Sequence, residues 1–217
     1  MPALLNDPVQ HLLSRLESAV PRCIVGMAGV PGSGKSTLAA SLAEAVNSRA
    51  GATVMIALGM DGFHLAKAAL ERMPDPQAAF ARRGAPWTFD PAALAQRLRR
   101  LRDGAGKTSV EWPDFQHDAG DPIEGAHSVS PATRLILVEG LYLLHEADGW
   151  DAVGSCFDER WYLDTPFALA MERLTNRHMA AWGLTRDAAR QRIATNDGLN
   201  AAIVAATRDH ADWLVAN

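Results

Sequence analysis

Residues 23–37 read CIVGMAGVPGSGKST, an apolar run that leads into a glycine-rich loop and then into a segment rich in alanine and leucine. Within it, residues 29–36 match the spacing G-x-x-x-x-G-K-[ST] at every position. The pattern predicts a buried strand that ends near Ala28 and a helix that begins near Lys35. Because a strand, a glycine-rich loop and a helix follow one another, we expect an α/β fold with this loop at the edge of a sheet.

The loop has the chemistry of a phosphate-binding site. Glycines allow the main chain to wrap tightly around an oxyanion with its N–H groups pointing inward, and the helix N-terminus adds about half a positive charge. Lys35 is placed to bridge the β- and γ-phosphates of a nucleotide, and the Ser36 hydroxyl is placed to bind Mg²⁺. The residues expected to bind a nucleoside triphosphate are Gly29, Val30, Pro31, Gly32, Ser33, Gly34, Lys35, Ser36 and Thr37.

The rest of the chain alternates short apolar runs with helical patterns, and its 217 residues suit a single domain. The apolar runs are continuous, as expected for strands buried on both faces of a parallel sheet. The predicted strands are residues 23–28, 53–58, 135–138, 160–163 and 213–215. The predicted helices cover residues 6–20, 36–48, 90–104, 165–180, 185–194 and 200–208.

The composition narrows the classes of function. With 48% hydrophobic and 21% charged residues, the chain is globular rather than disordered. A formal net charge of -4 argues against a protein that binds nucleic acid by neutralising many phosphates. No apolar run reaches the roughly 18 residues of a membrane helix, and no basic leader is present, so we expect a cytoplasmic protein without a membrane partner. Cys23 and Cys156 are expected to be buried, reduced thiols.

Two further predicted strands lead directly into acidic residues. Asp61 lies in the sequence MDGFH after the second strand, and Glu139 follows the third strand in LILVEG. Open parallel sheets bind ligands at the carboxyl ends of their strands, so both carboxylates are expected beside the phosphate loop. Asp61 could accept the proton of an attacking hydroxyl, or it could belong to a plain Asp-Gly turn. Glu139 could hold Mg²⁺ directly or through water, or it could be a solvated strand end.

Two stretches that are largely irregular in pattern, residues 61–89 and 111–124, are expected to form the walls of an acceptor site. Their polar side chains suit hydrogen bonding to a polyol, and their aromatic side chains suit packing against a sugar face or a base. His64 could contact the acceptor or orient Asp61, and a structural role is the alternative. The candidate substrate-binding residues are Asp61, His64, Arg83, Phe115, His117 and Glu139.

A resemblance to a known family rests on six blocks of sequence: GVPGSGKST, MDGFH, RRGAPWTFD, VEWPDFQHDAGDPIEG, LILVEGLYLL and MERLTNRH. In this order they are similar to the P-loop kinases that include uridine kinase, phosphoribulokinase and bacterial type I pantothenate kinase. Within that group the chain looks most like short bacterial proteins described as fructose transport system kinases. The resemblance implies a P-loop NTPase fold: a five-stranded parallel sheet of order 2-3-1-4-5, helices on both faces and a helical lid.

The resemblance also implies roles for individual residues. Asp61 matches the family's acidic residue after the second strand, which implies a general base or an acceptor-orienting group. Glu139 matches the acidic residue of the Glu-Gly pair. Arg83 lies in a block that borders the acceptor site in pantothenate-kinase-like relatives.

A lid is expected at about residues 171–197, with its tip at Gly183. Arg173 and Arg177 match the family's arginine-rich lid helix, and their spacing of four places both guanidinium groups on one helical face, within reach of the polyphosphate. Two surface arginines without a special role are the alternative. His178 could contact phosphate or base, or it could be a plain helix-end histidine. The expected catalytic residues are Lys35, Asp61, Arg173 and Arg177.

The expected activity is that of an ATP- and Mg²⁺-dependent kinase that transfers the γ-phosphoryl group to a hydroxyl of a small metabolite. A sugar such as fructose is the first expectation for the acceptor. A uridine-like nucleoside or pantothenate is the alternative, although Phe115-Gln116 stands where uridine kinases carry a Tyr-Asp pair. The competing class is an ATP-binding regulatory module with slow hydrolysis. The oligomeric state is left open, with a homodimer as one option.

Overall fold

The computed structural model of the protein describes residues 1–116 and 118–216. Six strands form one sheet in which every neighbouring pair is parallel, and two further strands form an antiparallel hairpin. The strands are β1 (Ala3–Leu4), β2 (Cys23–Ala28), β3 (Met55–Gly59), β4 (Val110–Gln116), β5 (Asp121–Val129), β6 (Leu135–Gly140), β7 (Glu159–Asp164) and β8 (Trp213–Ala216). The order in the main sheet is β1-β8-β7-β2-β6-β3, and β4 pairs with β5.

Helices fill most of the connections between the strands. They are α1 (Pro8–Leu16), α2 (Lys35–Ala50), α3 (Lys67–Leu70), α4 (Pro76–Ala81), α5 (Pro91–Asp103), α6 (Asp151–Gly154), α7 (Phe167–Trp182), α8 (Arg186–Arg192) and α9 (Gly198–Ala206). Asp7, Asp75 and Asp90 begin α1, α4 and α5; each carboxylate accepts a main-chain N–H in the first turn, and a proline follows it. None of the helices in the described ranges combines the length and the apolarity needed to cross a membrane.

All five predicted strands are present, and without β1 their order is the expected 2-3-1-4-5. The prediction of a five-stranded sheet is nevertheless wrong, because β1 adds a sixth strand at the edge. Ala3 pairs with Trp213 and Leu4 with Leu214. Two residues are too few to produce a recognisable hydrophobic pattern, so only the neighbouring strand reveals this pairing.

The expectation of irregular structure over residues 111–124 is also wrong, because most of this stretch belongs to the β4–β5 hairpin. Its register shifts between Trp112 and Asp114, which pair with His127 and Ile123, so extra residues of β5 opposite Pro113 interrupt the ladder. Pro122 and Gly125 lie in β5, where such residues weaken any strand signal. The alternation of inward and outward side chains is therefore hidden in the sequence.

Two apolar layers cover the faces of the main sheet. Ile24 of β2 packs in one layer with Leu94 and Leu98 of α5, whereas its neighbour Val25 packs in the other layer with Leu42 of α2. Successive residues of a strand point to opposite faces, and here both faces are covered by helices. Burial on both sides explains why the central strands read as unbroken apolar runs.

The parallel direction of the strands determines where polar groups can gather. The carboxyl ends of β2, β3, β6 and β7 lie side by side at one edge of the sheet. The glycine-rich loop follows β2, and the acidic residues follow or end β3 and β6. The fold therefore collects the chemistry-bearing residues of four connections along a single edge.

Gly62 should tolerate no side chain, because the hairpin packs against it. A Cβ atom at Gly62 would lie 2.3 Å from the main-chain oxygen of Pro113. We expect Gly62→Ala to lower the free energy of unfolding by about 1–3 kcal/mol, measured by urea denaturation. Gly154→Ala is the matched control, since its nearest contact would be an ordinary 3.6 Å to the Leu143 oxygen. Equal stability of the two variants would contradict this packing.

Candidate active site

The loop of residues 29–34 turns sharply between β2 and α2. Gly32 and Gly34 adopt left-handed conformations, with φ of 79° and 96°, which are strained for other residues. A Cβ atom at Gly32 would lie only 2.2 Å from the main-chain oxygen of Ala170 in α7, so α7 closes the loop from outside. The predicted strand, loop and helix are present, and the N-terminal N–H groups of α2 face the space that an anion would occupy.

Charged side chains of opposite sign meet beside this loop. The Ser36 hydroxyl donates a hydrogen bond of 2.8 Å to Glu139 Oε1. Burial raises the pKa of Glu139 above its ordinary value and nearby Asp61 adds to the rise, whereas Lys35 opposes it. Burial lowers the pKa of Lys35, while Glu139 and Asp61 oppose this shift and Arg177 adds to it. The structure thus brings together two carboxylates, two cations and a hydroxyl that the sequence predicts for one site.

The donor set near Ser36 suits a hard cation. Its hydroxyl oxygen and the Glu139 carboxylate are ligands that Mg²⁺ accepts, and they lie within hydrogen-bond distance of each other. In the described ranges, no group of three or more histidine, cysteine, aspartate or glutamate residues could hold a metal by itself. Mg²⁺ commonly takes one or two protein ligands and completes its shell with water and nucleotide phosphates, so these residues fit that ion.

Asp61 begins a short 3₁₀ turn, Asp61–Phe63, directly after β3. Its carboxylate is exposed at the edge of the sheet, and its charge acts on both Lys35 and Glu139. The indole N–H of Trp112 donates to the Gly59 oxygen at 2.9 Å and ties the end of β3 to the hairpin. Asp61 therefore projects from a braced position next to the phosphate loop.

His64 is half-buried in an aromatic stack. Its ring lies 3.9 Å from the ring centre of Phe89 and 4.6 Å from that of Phe115. Its Nδ1 lies 2.8 Å from the main-chain oxygen of Asp61, so Nδ1 carries the proton and donates it there. This contact joins the His64 ring to the main chain of Asp61.

Arg83 also contacts this stack, and its hydrogen bonds come from Nη2 alone, whereas its buried Nε has no partner among the described residues. Its guanidinium group lies 5.3 Å from the Phe115 ring centre, donates to the Leu65 oxygen at 3.0 Å and lies 3.4 Å from Asp121. The pKa of Asp121 is lowered, first by a hydrogen bond from the Lys67 main chain and also by Arg83. His117, the remaining predicted substrate-binding residue, lies outside the described residues.

The neighbouring Arg82 makes contacts that sequence reasoning missed. Its Nε donates to Asn196 Oδ1 at 3.1 Å, and its Nη2 donates to Asn200 Oδ1 at 3.0 Å. Asn196 in turn donates to the Arg83 oxygen at 3.0 Å. The only signal in the sequence is the spacing of two asparagines four residues apart in a mostly apolar segment. The phenol of Tyr142 donates to the Gly84 oxygen at 2.5 Å and fixes the same loop.

The predicted lid segment, residues 171–197, comprises most of α7, all of α8 and a π-helical turn at Ile193–Asp197. Arg173 Nη1 donates to the Ser33 oxygen at 3.3 Å, and Thr165 donates to the same oxygen at 3.0 Å. Arg177 lies close enough to lower the pKa of Lys35. Both arginines therefore lie beside the phosphate loop, and both remain exposed to solvent.

Gly183 lies at the turn between α7 and α8, the position expected for the tip of the lid, and its φ is 63°. His178 is buried, and its Nε2 lies 3.5 Å from a carboxylate oxygen of Asp197. Burial lowers the pKa of His178, whereas Asp197 opposes the shift. His178 lies within α7 rather than at its end, and its ring centre lies 4.5 Å from that of Trp182.

Known proteins resemble this chain along most of its length. In Schizosaccharomyces pombe, the protein named "Putative uridine kinase C227.14" is 39% identical over 185 residues, which are 84% of this chain and 78% of that protein. Escherichia coli YggC, named as uncharacterized, is 33% identical over 199 residues, which are 90% of this chain and 79% of that protein.

A solved structure from Silicibacter sp. TM1040, described as a "putative fructose transport system kinase", superimposes with a TM-score of 0.84 at 37% sequence identity. The superposition covers 95% of this chain and 96% of that one. Residues 24–216 match the model of a single protein family, and that range contains the phosphate loop, Asp61, Glu139 and both lid arginines. The chain therefore belongs to the phosphoribulokinase and uridine kinase family of P-loop kinases.

Proposed function

We propose that this kinase transfers the γ-phosphoryl group of ATP to a hydroxyl group of a small metabolite. The observation that carries the proposal is the joint position of Lys35, Asp61 and Glu139 at one sheet edge, where each charge shifts the pKa of a neighbour. Glu139 then serves the nucleotide side, and Asp61 remains exposed toward an acceptor. A protein that only binds a nucleotide would need Glu139 but not Asp61.

On the nucleotide side, the main-chain N–H groups of residues 29–36 would hold the phosphates together with the Lys35 ammonium. Glu139 and Asp61 oppose the fall in the Lys35 pKa that burial causes, and so favour its charged form. Ser36 and Glu139 would hold Mg²⁺ directly or through water, and this ion would supply positive charge that offsets the charge of the phosphates. Together they keep the terminal phosphoryl group facing Asp61.

On the acceptor side, the Asp61 carboxylate would accept the proton of the attacking hydroxyl. The hydroxyl oxygen forms a bond to the γ-phosphorus while the bond from that phosphorus to the bridging oxygen of ADP breaks. The proton ends on Asp61, and the electron pair of the broken bond ends on ADP. The exposed position of Asp61 and the contact of His64 with its main chain support this role.

Arg177 and Arg173 would bind the negative charge that spreads over the transferring group. Arg173 already contacts the loop through the Ser33 oxygen. Closure of residues 171–197 over the site would also exclude water, which otherwise competes as the acceptor.

A sugar is the first candidate for the acceptor class. Aromatic rings at Phe89 and Phe115 and the polar groups of residues 61–89 provide the mixture of surfaces that binds a polyol. The name of the Silicibacter relative supports a sugar, whereas the name of the fission-yeast relative supports a nucleoside.

Replacing the proposed base should separate binding from transfer. We expect Asp61→Asn to retain affinity for MgATP but to lower acceptor-dependent ADP release by about 10²–10⁴-fold, because the amide cannot take the proton. ADP release is measured with purified protein and MgATP against panels of sugars, nucleosides and pantothenate. Asp103→Asn, an exposed change at the end of α5, is the control.

Acceptor turnover by Asp61→Asn at the wild-type rate would rule out Asp61 as the base. Nucleotide binding by the wild-type protein without turnover of any acceptor would instead favour the regulatory ATP-binding class.

Glu139→Gln should weaken the proposed Mg²⁺ site without unfolding the protein. We expect the Mg²⁺ concentration for half-maximal activity to rise by about 10–100-fold. The free energy of unfolding without nucleotide should not fall, because the amide replaces a carboxylate whose charge burial disfavours. Glu44→Gln, on the exposed side of α2, is the control. An unchanged Mg²⁺ dependence would remove Glu139 from the metal site.

Arg177→Ala should slow the transfer step more than it weakens nucleotide binding. We expect kcat to fall by about 10³-fold, by comparison with arginines that stabilise transferring phosphoryl groups. Arg190→Ala changes an exposed arginine of α8 in the same segment and serves as the control. Equal activity of the two variants would show that Arg177 has no special role.

A further inference from the structure

The phosphate loop packs against the β7–α7 junction, residues 163–170. A Cβ atom at Gly29 would lie 3.3 Å from a side chain of β7, and a Cβ atom at Gly32 would lie 2.2 Å from the Ala170 oxygen. At the same junction, the main-chain oxygen of Ser33 accepts a hydrogen bond of 3.0 Å from the Thr165 hydroxyl. The loop is therefore supported at several positions by one turn of the chain.

The fold holds the Thr165 hydroxyl in a fixed place. Thr165 directly follows β7, is 7% exposed, and donates its main-chain N–H to the Leu163 oxygen at 3.0 Å. Ser33 is completely buried, so its carbonyl group needs a donor from the protein rather than from water. Arg173 also donates to this oxygen, at 3.3 Å, but through an exposed side chain. The buried hydroxyl is thus the closer and the more constrained of these two donors.

The direction of the Ser33 carbonyl determines the direction of the next N–H group. The peptide between Ser33 and Gly34 is planar and trans, so the C=O of one and the N–H of the other point in opposite directions. Because the carbonyl points to Thr165, the Gly34 N–H points away from the β7–α7 junction, toward the inside of the loop. This N–H forms no hydrogen bond within residues 1–116 and 118–216.

The loop cannot fix this direction by itself. Gly32 and Gly34 flank Ser33, with φ of 79° and 96°. Glycine adopts positive and negative φ about equally readily, so the backbone of these residues offers little resistance to rotation of the peptide between Ser33 and Gly34. A hydrogen bond from outside the loop is needed to select one orientation.

We propose that Thr165 is a positioning residue of the nucleotide site. Its hydroxyl holds the Ser33–Gly34 peptide so that the Gly34 N–H faces the phosphates, which the N–H groups of such loops surround. In the opposite orientation, the Ser33 oxygen would face the phosphates and repel their negative charge. The inference rests on the nucleotide binding that the proposed function includes, and it requires neither the transfer step nor a particular acceptor.

Thr165→Val tests this role, because valine has nearly the shape of threonine but no hydroxyl. We expect the dissociation constant for MgADP, measured by isothermal titration calorimetry, to rise about tenfold or more, since a hydrogen bond to a charged group is weakened. Thr165→Ser keeps the donor and should restore most of the affinity.

The amide proton of Gly34 reports on the peptide directly. A main-chain N–H that begins to donate to a phosphate oxyanion forms a short, charge-assisted hydrogen bond, and its ¹H resonance moves downfield. We expect this movement on addition of saturating MgADP to the wild-type protein and to Thr165→Ser, and a smaller one in Thr165→Val. A general loss of stability would not alter this single resonance selectively.

Thr175→Val is the matched control. Thr175 lies in α7, is 3% exposed, and donates its hydroxyl to the Met171 oxygen at 2.8 Å. A valine there also removes a buried hydroxyl hydrogen bond, but one that does not reach the phosphate loop. We expect both valine variants to have a lower Tm than the wild-type protein, whereas only Thr165→Val should lose affinity for MgADP.

Wild-type affinity in Thr165→Val, equal weakening in the two valine variants, or a Gly34 resonance that responds identically in all proteins would overturn the inference and leave the proposed kinase function intact. The expected loss of affinity without turnover of any acceptor would support the inference while the kinase proposal fails. If Thr165→Val does not fold, Thr165→Ala and Thr175→Ala provide the same comparison. Absence of MgADP binding by the wild-type protein would overturn both proposals.

Discussion

The charge balance around Lys35 is the constraint on which the site depends. Its ammonium is tolerated in a desolvated position because Glu139 and Asp61 lie close by, and Glu139 in turn is tolerated because of Lys35 and the Ser36 hydroxyl. Strand register sets these positions: Glu139 pairs with Met27 of β2 on one side and with Gly59 of β3 on the other. A Cβ atom at Gly59 would lie an ordinary 3.8 Å from Glu139 Oε1, so this carboxylate lies directly beside the end of β3.

One segment of the chain contacts both halves of the site. At its start, α7 packs against the phosphate loop, where Arg173 donates to the Ser33 oxygen. At its end, the π-helical turn donates from Asn196 to the Arg83 oxygen beside the acceptor side. Residues 171–197 are therefore not an isolated flap, because displacement of either end alters contacts with the nucleotide loop or with the acceptor walls.

The features that local sequence patterns encode could be predicted from the sequence alone. The phosphate loop has a fixed spacing, and the central strands are continuous apolar runs, so Asp61 and Glu139 could be placed by their positions directly after or at the end of strands. The β4–β5 hairpin could not be recognised, since a bulge and the residues Pro122 and Gly125 interrupt its alternation. The two-residue β1 exists as a strand only because β8 is there to pair with it.

The choice between Arg82 and Arg83 shows a different limit. Adjacent residues in a loop have no periodicity that assigns them to faces, so the sequence analysis named Arg83 from the family resemblance and predicted no contacts for Arg82. Tertiary contacts separate them: Arg83 meets a carboxylate and a ring, whereas Arg82 meets two amides. On the nucleotide side of the site, Lys35 lies near the carboxylates of Glu139 and Asp61. The contacts that the fold makes, rather than the residue type, therefore distinguish the two arginines.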